Sequence, residues 1–206
     1  QDLDLHGKKP DHQDLSGALL AHITPTLPPG DPVRQINEII ERPDAEGYVQ
    51  SLDPHALFRL IKAAGWDQGE DLVPMATPRQ IQSFLDFDVW RRDRLIPRRM
   101  NRWLDVVTRD TGDARFVRVL RDMDAEVIAL YFKEHLLVEH IDEEGQIPEH
   151  MPLHAERSPD GVFAIAYPQE DEETAVVLRN LVKRLFETDM ALAWTLLEAV
   201  RWELNG

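Results

Sequence analysis

The residues best suited to chemistry lie between Phe84 and Asp105 (FLDFDVWRRDRLIPRRMNRWLD). Arg91, Arg92, Arg94, Arg98, Arg99 and Arg102 crowd this span, interleaved with Asp86, Asp88 and Asp93 and with Phe87, Trp90 and Trp103. A guanidinium fork matches a carboxylate or a phosphate, so such an island suits an anion or an acidic partner. The same residues can instead neutralise one another. Asp88 stands three and four residues before Arg91 and Arg92, the spacing of helical ion pairs, each worth about 0.3–0.5 kcal/mol when exposed. Trp90 and Trp103 suit a core.

Metal chemistry is the second candidate. His135 and Glu139 are four apart and could chelate one ion from a regular helix. His135 and His140 are five apart, which puts them about 140° apart around a helix, too far to share an ion. His150 and His154 have the right spacing, but Pro152 between them breaks a helix. Asp142, Glu143 and Glu144, with Glu149 beyond, form one carboxylate group, and Glu170 to Glu173 another. Hard cations such as Mg²⁺ take oxygen ligands of this kind. The candidate set is thus His135, Glu139, Asp142, Glu143 and Glu144; a His/Glu site would suit zinc or manganese, and the expectation is no cofactor, with Mg²⁺ as the alternative. Neither H-E-x-x-H nor an EF-hand spacing is present, and solvated surface charge is the default reading of both carboxylate groups.

Composition removes other classes. The chain has 206 residues, 23 Lys+Arg against 38 Asp+Glu, a net charge of −15 and no cysteine. Disulfide scaffolds and thiolate chemistry are excluded. Phosphate backbones require local positive charge, so the balance argues against a nucleic-acid binder. No apolar run approaches the ~18 residues of a membrane span, and no leader is visible. A soluble cytoplasmic protein is expected. There is no Walker A loop, no G-x-G-x-x-G and no G-x-S-x-G, so nothing marks an enzyme. The absence of Met at Gln1 points to a processed or cut chain, and the stop soon after Trp202 points to a truncated end.

These residues need elements to position them. Residues 1–34 read as a flexible, proline-rich tail, with a short helix over Leu15–Ile23 and an extended PTLPPGDP segment from Pro25 to Pro32. Residues 35–141 read as a helical-repeat array. Ile36, Ile39 and Ile40 share a face; Leu57, Leu60, Ile61 and Ala64 fall at i, i+3, i+4, i+7. Ile81, Phe84 and Leu85 begin the same stripe, which Met100, Trp103, Leu104 and Val107, then Phe116, Val119, Leu120 and Met123, then Val127, Leu130 and Tyr131 repeat. Asp53-Pro54 and Thr77-Pro78 each place a capping residue before an N1 proline, Pro97 opens the Met100 helix, Asp124 caps the Val127 helix, and Gly65 is a C-cap.

The elements also recur. Pro54, Leu57, Leu60, Ile61 and Trp66 return at Pro78, Ile81, Phe84, Leu85 and Trp90. Leu72-Val73-Pro74 returns at Leu95-Ile96-Pro97. Short amphipathic helices bury their stripes only by stacking, which predicts a curved, superhelical array. Residues 142–168 read as an irregular, β-hairpin-like insertion near 150–168, in which Val162–Tyr167 pairs with Leu153–Arg157 across the Ser158-Pro159-Asp160-Gly161 turn. Residues 169–206 read as a C-terminal helical hairpin packed on the array, broken and capped at Thr188-Asp189. The fold class is mainly all-α.

Pro78-x-Gln80-Ile81, Leu85-Asp86-x-Asp88-x-Trp90, Asp93-Arg94-Leu95, Trp103-Leu104 and the segment Val182–Leu204 resemble an uncharacterised bacterial family of helical proteins, a domain of unknown function, across roughly residues 35 to 204. That resemblance implies a helical fold and a chain that continues further, and it implies no activity. A more distant likeness, carried by Leu52-Asp53-Pro54 and Ala76-Thr77-Pro78, runs to the cytoplasmic N domain of MgtE-type magnesium transporters and to the flagellar switch protein FliG. It implies an α-superhelical interaction module, with Mg²⁺ sensitivity as a further implication. The reading that emerges is a cytoplasmic protein-interaction module with an unidentified protein partner. Its contact surface is Asp86, Asp88, Trp90, Arg91, Arg92, Asp93, Arg94, Arg98, Arg99 and Arg102. A divalent-cation-sensing domain is the alternative.

Overall fold

The computed structural model describes Leu27 and residues 30–203. The expected Leu15–Ile23 helix and most of the Pro25–Pro32 segment lie outside the described residues.

Proline and its preceding acceptor set the helix starts. Helix α1 (Pro32–Ile40) opens on Asp31-Pro32 and leads to α2 (Ala45–Ser51). Asp53 accepts from the Ala56 amide at 3.0 Å and starts α3 (Pro54–Ala64). Thr77 and Gln80 form a reciprocal capping box at the head of α5 (Pro78–Asp88), with bonds of 3.1 and 2.8 Å. The Gln80 amide nitrogen is buried and also donates to the Val49 and Leu52 carbonyls at 2.8 and 2.9 Å, so the cap of α5 serves the end of α2 as well. Pro97 opens α6 (Pro97–Asp110). Helix α7 (Asp113–Asp122) comes next, and Asp124 caps α8 (Ala125–His135) through the Glu126 amide at 2.9 Å.

The apolar stripes face inward with two exceptions. Ile40 and Leu130 are each 37% exposed, and α8 buries Val127, Ile128, Tyr131 and Phe132 instead of a face through Leu130. The segments that recur in sequence, α3 and α5, pack on each other, and the connections after these two helices differ. Gly65, at φ 89°, ends α3 and leads into a short helical turn, α4 (Trp66–Gly69), and a 3₁₀ segment (Glu70–Met75) that contains Leu72-Val73-Pro74. After α5 the chain instead makes a two-stranded hairpin, β1 (Trp90–Arg91) and β2 (Arg94–Leu95).

The helical pattern expected to reach His140 ends at His135. Leu137–His140 forms β3, which pairs antiparallel with β5 (Phe163–Ala166), and β5 pairs antiparallel with β4 (Glu156–Arg157). The order β3-β5-β4 puts the apolar β5 in the middle, buried on both faces. Phe163 and Ile165 face the main core, while Ala164 and Ala166 meet Met151, Ile141 and Ile147 from the covering loop. The 158–161 turn forms as expected: Ser158 Oγ accepts from the Phe163 amide at 2.9 Å and Gly161 takes φ 75°.

Helices α9 (Glu172–Thr188) and α10 (Met190–Glu203) form the C-terminal hairpin. Asp189 caps α10 and accepts from Arg121 Nε and Nη2 at 2.6 and 2.9 Å. That hydrogen bond holds the Asp189 carboxyl below its ordinary range. Helix α9 packs mainly on α6, and α10 on α8 and β3. One buried apolar cluster runs from Ile36 to Val200 through all of these elements.

Gly69 shows how tightly the first helices approach. A Cβ there would sit 2.9 Å from both Cα and O of Ile61, contacts that backbone cannot yield cheaply. Gly69→Ala therefore destabilises, although alanine favours a helix, by about 1–3 kcal/mol of overpacking. Melting should show Tm lowered by about 2–4 °C for each kcal/mol. An unchanged or raised Tm would show that the contact relaxes.

Candidate interaction surface

Asp88 is the centre of the charged segment, but not through its helical neighbours. It is the last residue of α5, the chain leaves the helix there, and Arg91 and Arg92 pass into the hairpin. Its side chain is 8% exposed and collects long-range partners. Lys62 Nζ from α3 donates to Oδ1 at 3.0 Å, and Arg99 Nη1 from α6 lies 3.6 Å from the same oxygen. Trp103 Nε1 donates to Oδ2 at 3.0 Å, and Arg99 Nη1 also donates to the Asp88 carbonyl at 2.9 Å. A buried carboxylate is stable only when its lone pairs are satisfied, and here two helices, α3 and α6, satisfy them.

Beside Asp88 stands an aromatic group. Trp103, 1% exposed, packs against Phe84 and edge-on to Trp66, with ring centroids 5.4 and 4.8 Å apart. Phe58 bridges Phe84 and Phe87, at 6.2 and 5.5 Å, and Lys62 lies over Phe58 at 5.9 Å. Phe87 is 37% exposed and stacks on His55 at 3.9 Å. The second expected core tryptophan, Trp90, is only partly buried, on the inner face of the hairpin with Leu95. His55, Phe58, Phe87 and Lys62 escape a reading by motif, although His55, Phe58 and Lys62 share the i, i+3, i+7 face of α3 opposite its buried stripe.

The arginines divide. Arg99 belongs to the Asp88 network. Arg91, Arg92, Arg94 and Arg98 are exposed, and among the described residues no hydrogen bond or ion pair reaches their side chains. Asp93 is exposed between them, and Asp86 accepts from Gln82 at 2.9 Å instead of pairing with a cation. Arg102 lies apart. It lines a cavity of about 580 Å³ with Trp66, Asp105, Glu172 and Glu173. The exposed, unpaired arginines of this segment are therefore Arg91, Arg92, Arg94 and Arg98; half-exposed Arg99 and Lys62 are held at Asp88, next to which in the chain stands Phe87 with its His55 stack.

The residues that suit a metal by spacing are separated by the fold. His135 ends α8 and Glu139 lies in β3, so their helical i, i+4 relation does not exist. His135 packs edge-on to Tyr131 at 4.5 Å, and Glu139 faces His150 at 3.8 Å. His140 pairs with Glu198. Asp142 Oδ1 accepts from the Glu144 and Gln146 amides at 3.1 and 2.6 Å, closing a turn in which Glu143 and Glu144 are exposed. Among the described residues no group of three or more His, Asp or Glu side chains converges to hold a metal ion.

His135 adjoins a directed polar chain instead. Tyr131 OH donates to Asn101 Oδ1, Asn101 Nδ2 donates to Thr174 Oγ1 at 2.8 Å, and Thr174 Oγ1 donates to Asp171 Oδ2 at 2.6 Å. Burial holds the Tyr131 phenol above its ordinary range, and the Thr174 hydrogen bonds hold the Asp171 carboxyl below its own. His135 Nε2 is buried with no hydrogen-bond partner among the described residues, and burial holds the imidazole below its ordinary value of 6.5 against the raising effect of Glu134 and Asp171.

Fold and surface together define a mainly helical domain that presents an unneutralised arginine patch beside an aromatic stack. The chain belongs to the family of unknown function DUF6178, which it matches over residues 13–206. No curated protein and no solved structure matches it. The likeness to the MgtE N domain and FliG thus stays a reading of two capping steps. No helix among the described residues is long and apolar enough to cross a membrane.

The Asp88 network and His135 can each be tested through stability. Asp88→Leu removes the acceptor of the buried Trp103 Nε1 and should cost about 1–3 kcal/mol. Asp88→Asn keeps an acceptor oxygen there and should cost less, so equal denaturant midpoints for the two would remove Trp103 from the account. For His135, the unfolded chain takes up a proton near pH 6.5 that the folded chain refuses until lower pH. Stability therefore falls as pH drops through 6.5 toward the lower folded value. His135→Gln should lose less Tm than wild type between about pH 7 and 5, and parallel curves would show that His135 does not couple to folding.

Proposed function

We propose that this domain is a protein-interaction module that docks an acidic protein segment on the surface formed by Arg91, Arg92, Arg94 and Arg98. One observation carries the reading. In a chain of net charge −15, with carboxylates in excess, these guanidinium groups stay exposed and unpaired among the described residues. An acidic chain has ample means to neutralise four arginines internally, as it does for Arg121 with Asp189, Arg179 with Glu156 and Arg109 with Asp110; exposed Arg59, Arg79 and Arg118 also lack a partner among the described residues, but only Arg91, Arg92, Arg94 and Arg98 are grouped within eight residues. Arginine forks left open match carboxylates in pairs of parallel hydrogen bonds. The half-exposed Phe87–His55 stack beside them supplies apolar contact of the kind that anchors interfaces. The surrounding negative charge repels acidic ligands that do not reach the patch, which favours selectivity over raw affinity.

The divalent-cation alternative rests on the net charge of −15 and on the distant likeness to the transporter N domain, since no cluster of ligands converges among the described residues.

The test is fluorescence anisotropy with a labelled oligoglutamate peptide. Wild type should bind saturably, and more weakly as salt rises, because exposed charges are screened beyond ~8 Å at physiological ionic strength. Arg94→Glu combined with Arg98→Glu should weaken binding by about tenfold or more while leaving Tm close to wild type, since neither side chain makes a polar contact among the described residues. Equal binding by wild type and variant, or none by wild type, would overturn the reading.

A further inference from the structure

The β1–β2 hairpin is unfavourable in two ways that its fold does not require. Arg92, at the first position of its two-residue loop, has φ 56°. That is the left-handed region, where a side chain clashes with the backbone and glycine does not. Arg91 and Arg94 are direct cross-strand partners, so both project from one face of the ribbon, and like charges in that relation repel. The opposite pair, Trp90 and Leu95, holds the ribbon to the body: Leu95 is 6% exposed, and the Ile96 amide donates to the Val89 carbonyl at 2.7 Å at the base. Anchored through that face, the ribbon turns Arg91 and Arg94 to solvent with Arg92 at its tip.

We infer that this hairpin is the recognition element of the acidic-segment site, and that Arg92 at its tip is a contact residue whose side-chain chemistry outweighs the backbone conformation it occupies. The inference rests on the reading proposed above and specifies its ligand. The four arginines are strung along the chain, Arg91, Arg92 and Arg94 on the ribbon and Arg98 in the first turn of α6. That spacing suits a run of carboxylates along an extended peptide, each taken by one fork, better than a single phosphate. An incoming run of carboxylates also removes the Arg91–Arg94 repulsion, so the hairpin is more favourable bound than free.

The decisive variant is Arg92→Gly, because the two roles of the residue predict opposite signs. Glycine relieves the positive φ, so Tm should rise by about 1–3 °C. It removes one fork, so oligoglutamate affinity should fall by about tenfold. A stabilised protein that binds less well supports the inference, and Arg92→Asn, which also tolerates the left-handed region, should reproduce the loss. Unchanged oligoglutamate affinity in Arg92→Gly, with wild type binding normally, would show that the tip does not touch the ligand while leaving the wider surface intact. No binding by wild type would instead remove the surface itself. A lowered Tm in both variants would overturn the strain argument. A phosphoserine peptide bound about tenfold or more tighter than oligoglutamate would overturn the carboxylate assignment.

Discussion

Helix α6 cannot move from the centre of this protein without orphaning polar groups on two sides. On one side Trp103 donates to the buried carboxylate of Asp88 and Arg99 holds that residue's carbonyl. On the other, Asn101 joins Tyr131 to Thr174, and Arg184 from α9 donates to the carbonyls of Thr108 and Thr111 near the end of α6. Apolar burial is non-directional and would tolerate several registers of α6 against its neighbours. Each of these hydrogen bonds tolerates one, and breaking it leaves a buried group unsatisfied at a cost of about 1–3 kcal/mol. The contacts also fix direction: Asn101 meets Thr174 and Thr108 meets Arg184, so position rises along both chains together and α6 and α9 run parallel. A parallel pair cannot be joined by a short loop, and the segment between them holds α7, α8 and the small sheet.

The exposed arginines are a consequence of the same constraint. Asp88 is fixed at the end of α5 by α6, and the next residues must reverse direction to bring Pro97 to the head of α6. The hairpin makes that reversal. Its strand alternation permits one inward pair, and Trp90 with Leu95 takes it, so Arg91 with Arg94 must face out. Of the basic residues near Asp88, Lys62 and Arg99 reach the carboxylate while remaining 46% and 47% exposed. The Asp88 carboxylate is then shared by Lys62, Arg99 and Trp103, and no hydrogen bond or ion pair joins the hairpin guanidinium groups to it or to the exposed Asp93 among the described residues.

Much of the helical framework is legible in the sequence because its signals are local. Asp53-Pro54, Thr77-Pro78-x-Gln80 and Asp124 specify helix starts through contacts within a few residues, and each of these caps forms. The Ser158–Gly161 turn and the break at Asp189 are local in the same sense. The features that stay hidden depend on distant partners. Tyr131-Phe132-Lys133-Glu134-His135-Leu136-Leu137-Val138 carries no glycine or proline to stop a helix, and its end at His135 is set by β5, which pairs with Leu137–His140 across an intervening loop and β4. The metal spacing of His135 and Glu139 disappears with that helix. Helical spacing pairs Asp88 with Arg91 and Arg92, but its partners come from α3 and α6, and no periodicity reports Lys62, Arg99 and Trp103 meeting at one carboxylate. The exposed state of the other arginines is equally illegible, since it depends on which cations reach Asp88 first in space.

The groups that fix α6 are therefore distinct from the exposed arginines. Everything that fixes the register of α6 is buried or half-buried: Asp88, Asn101, Trp103, Thr174 and Arg184. The exposed arginines of the hairpin and of Arg98 take no part in it. A surface whose charges are absent from the folding contacts can vary its specificity at little cost to the fold. The exception is the hairpin tip, where Arg92 keeps a left-handed backbone in a turn that glycine would make more easily. A fold indifferent to the side chains of its surface would gain by relaxing that one position. The strain stands at the tip of the ribbon, beside the Arg91–Arg94 pair, so the one unfavourable backbone position of the hairpin and its like-charge pair fall together.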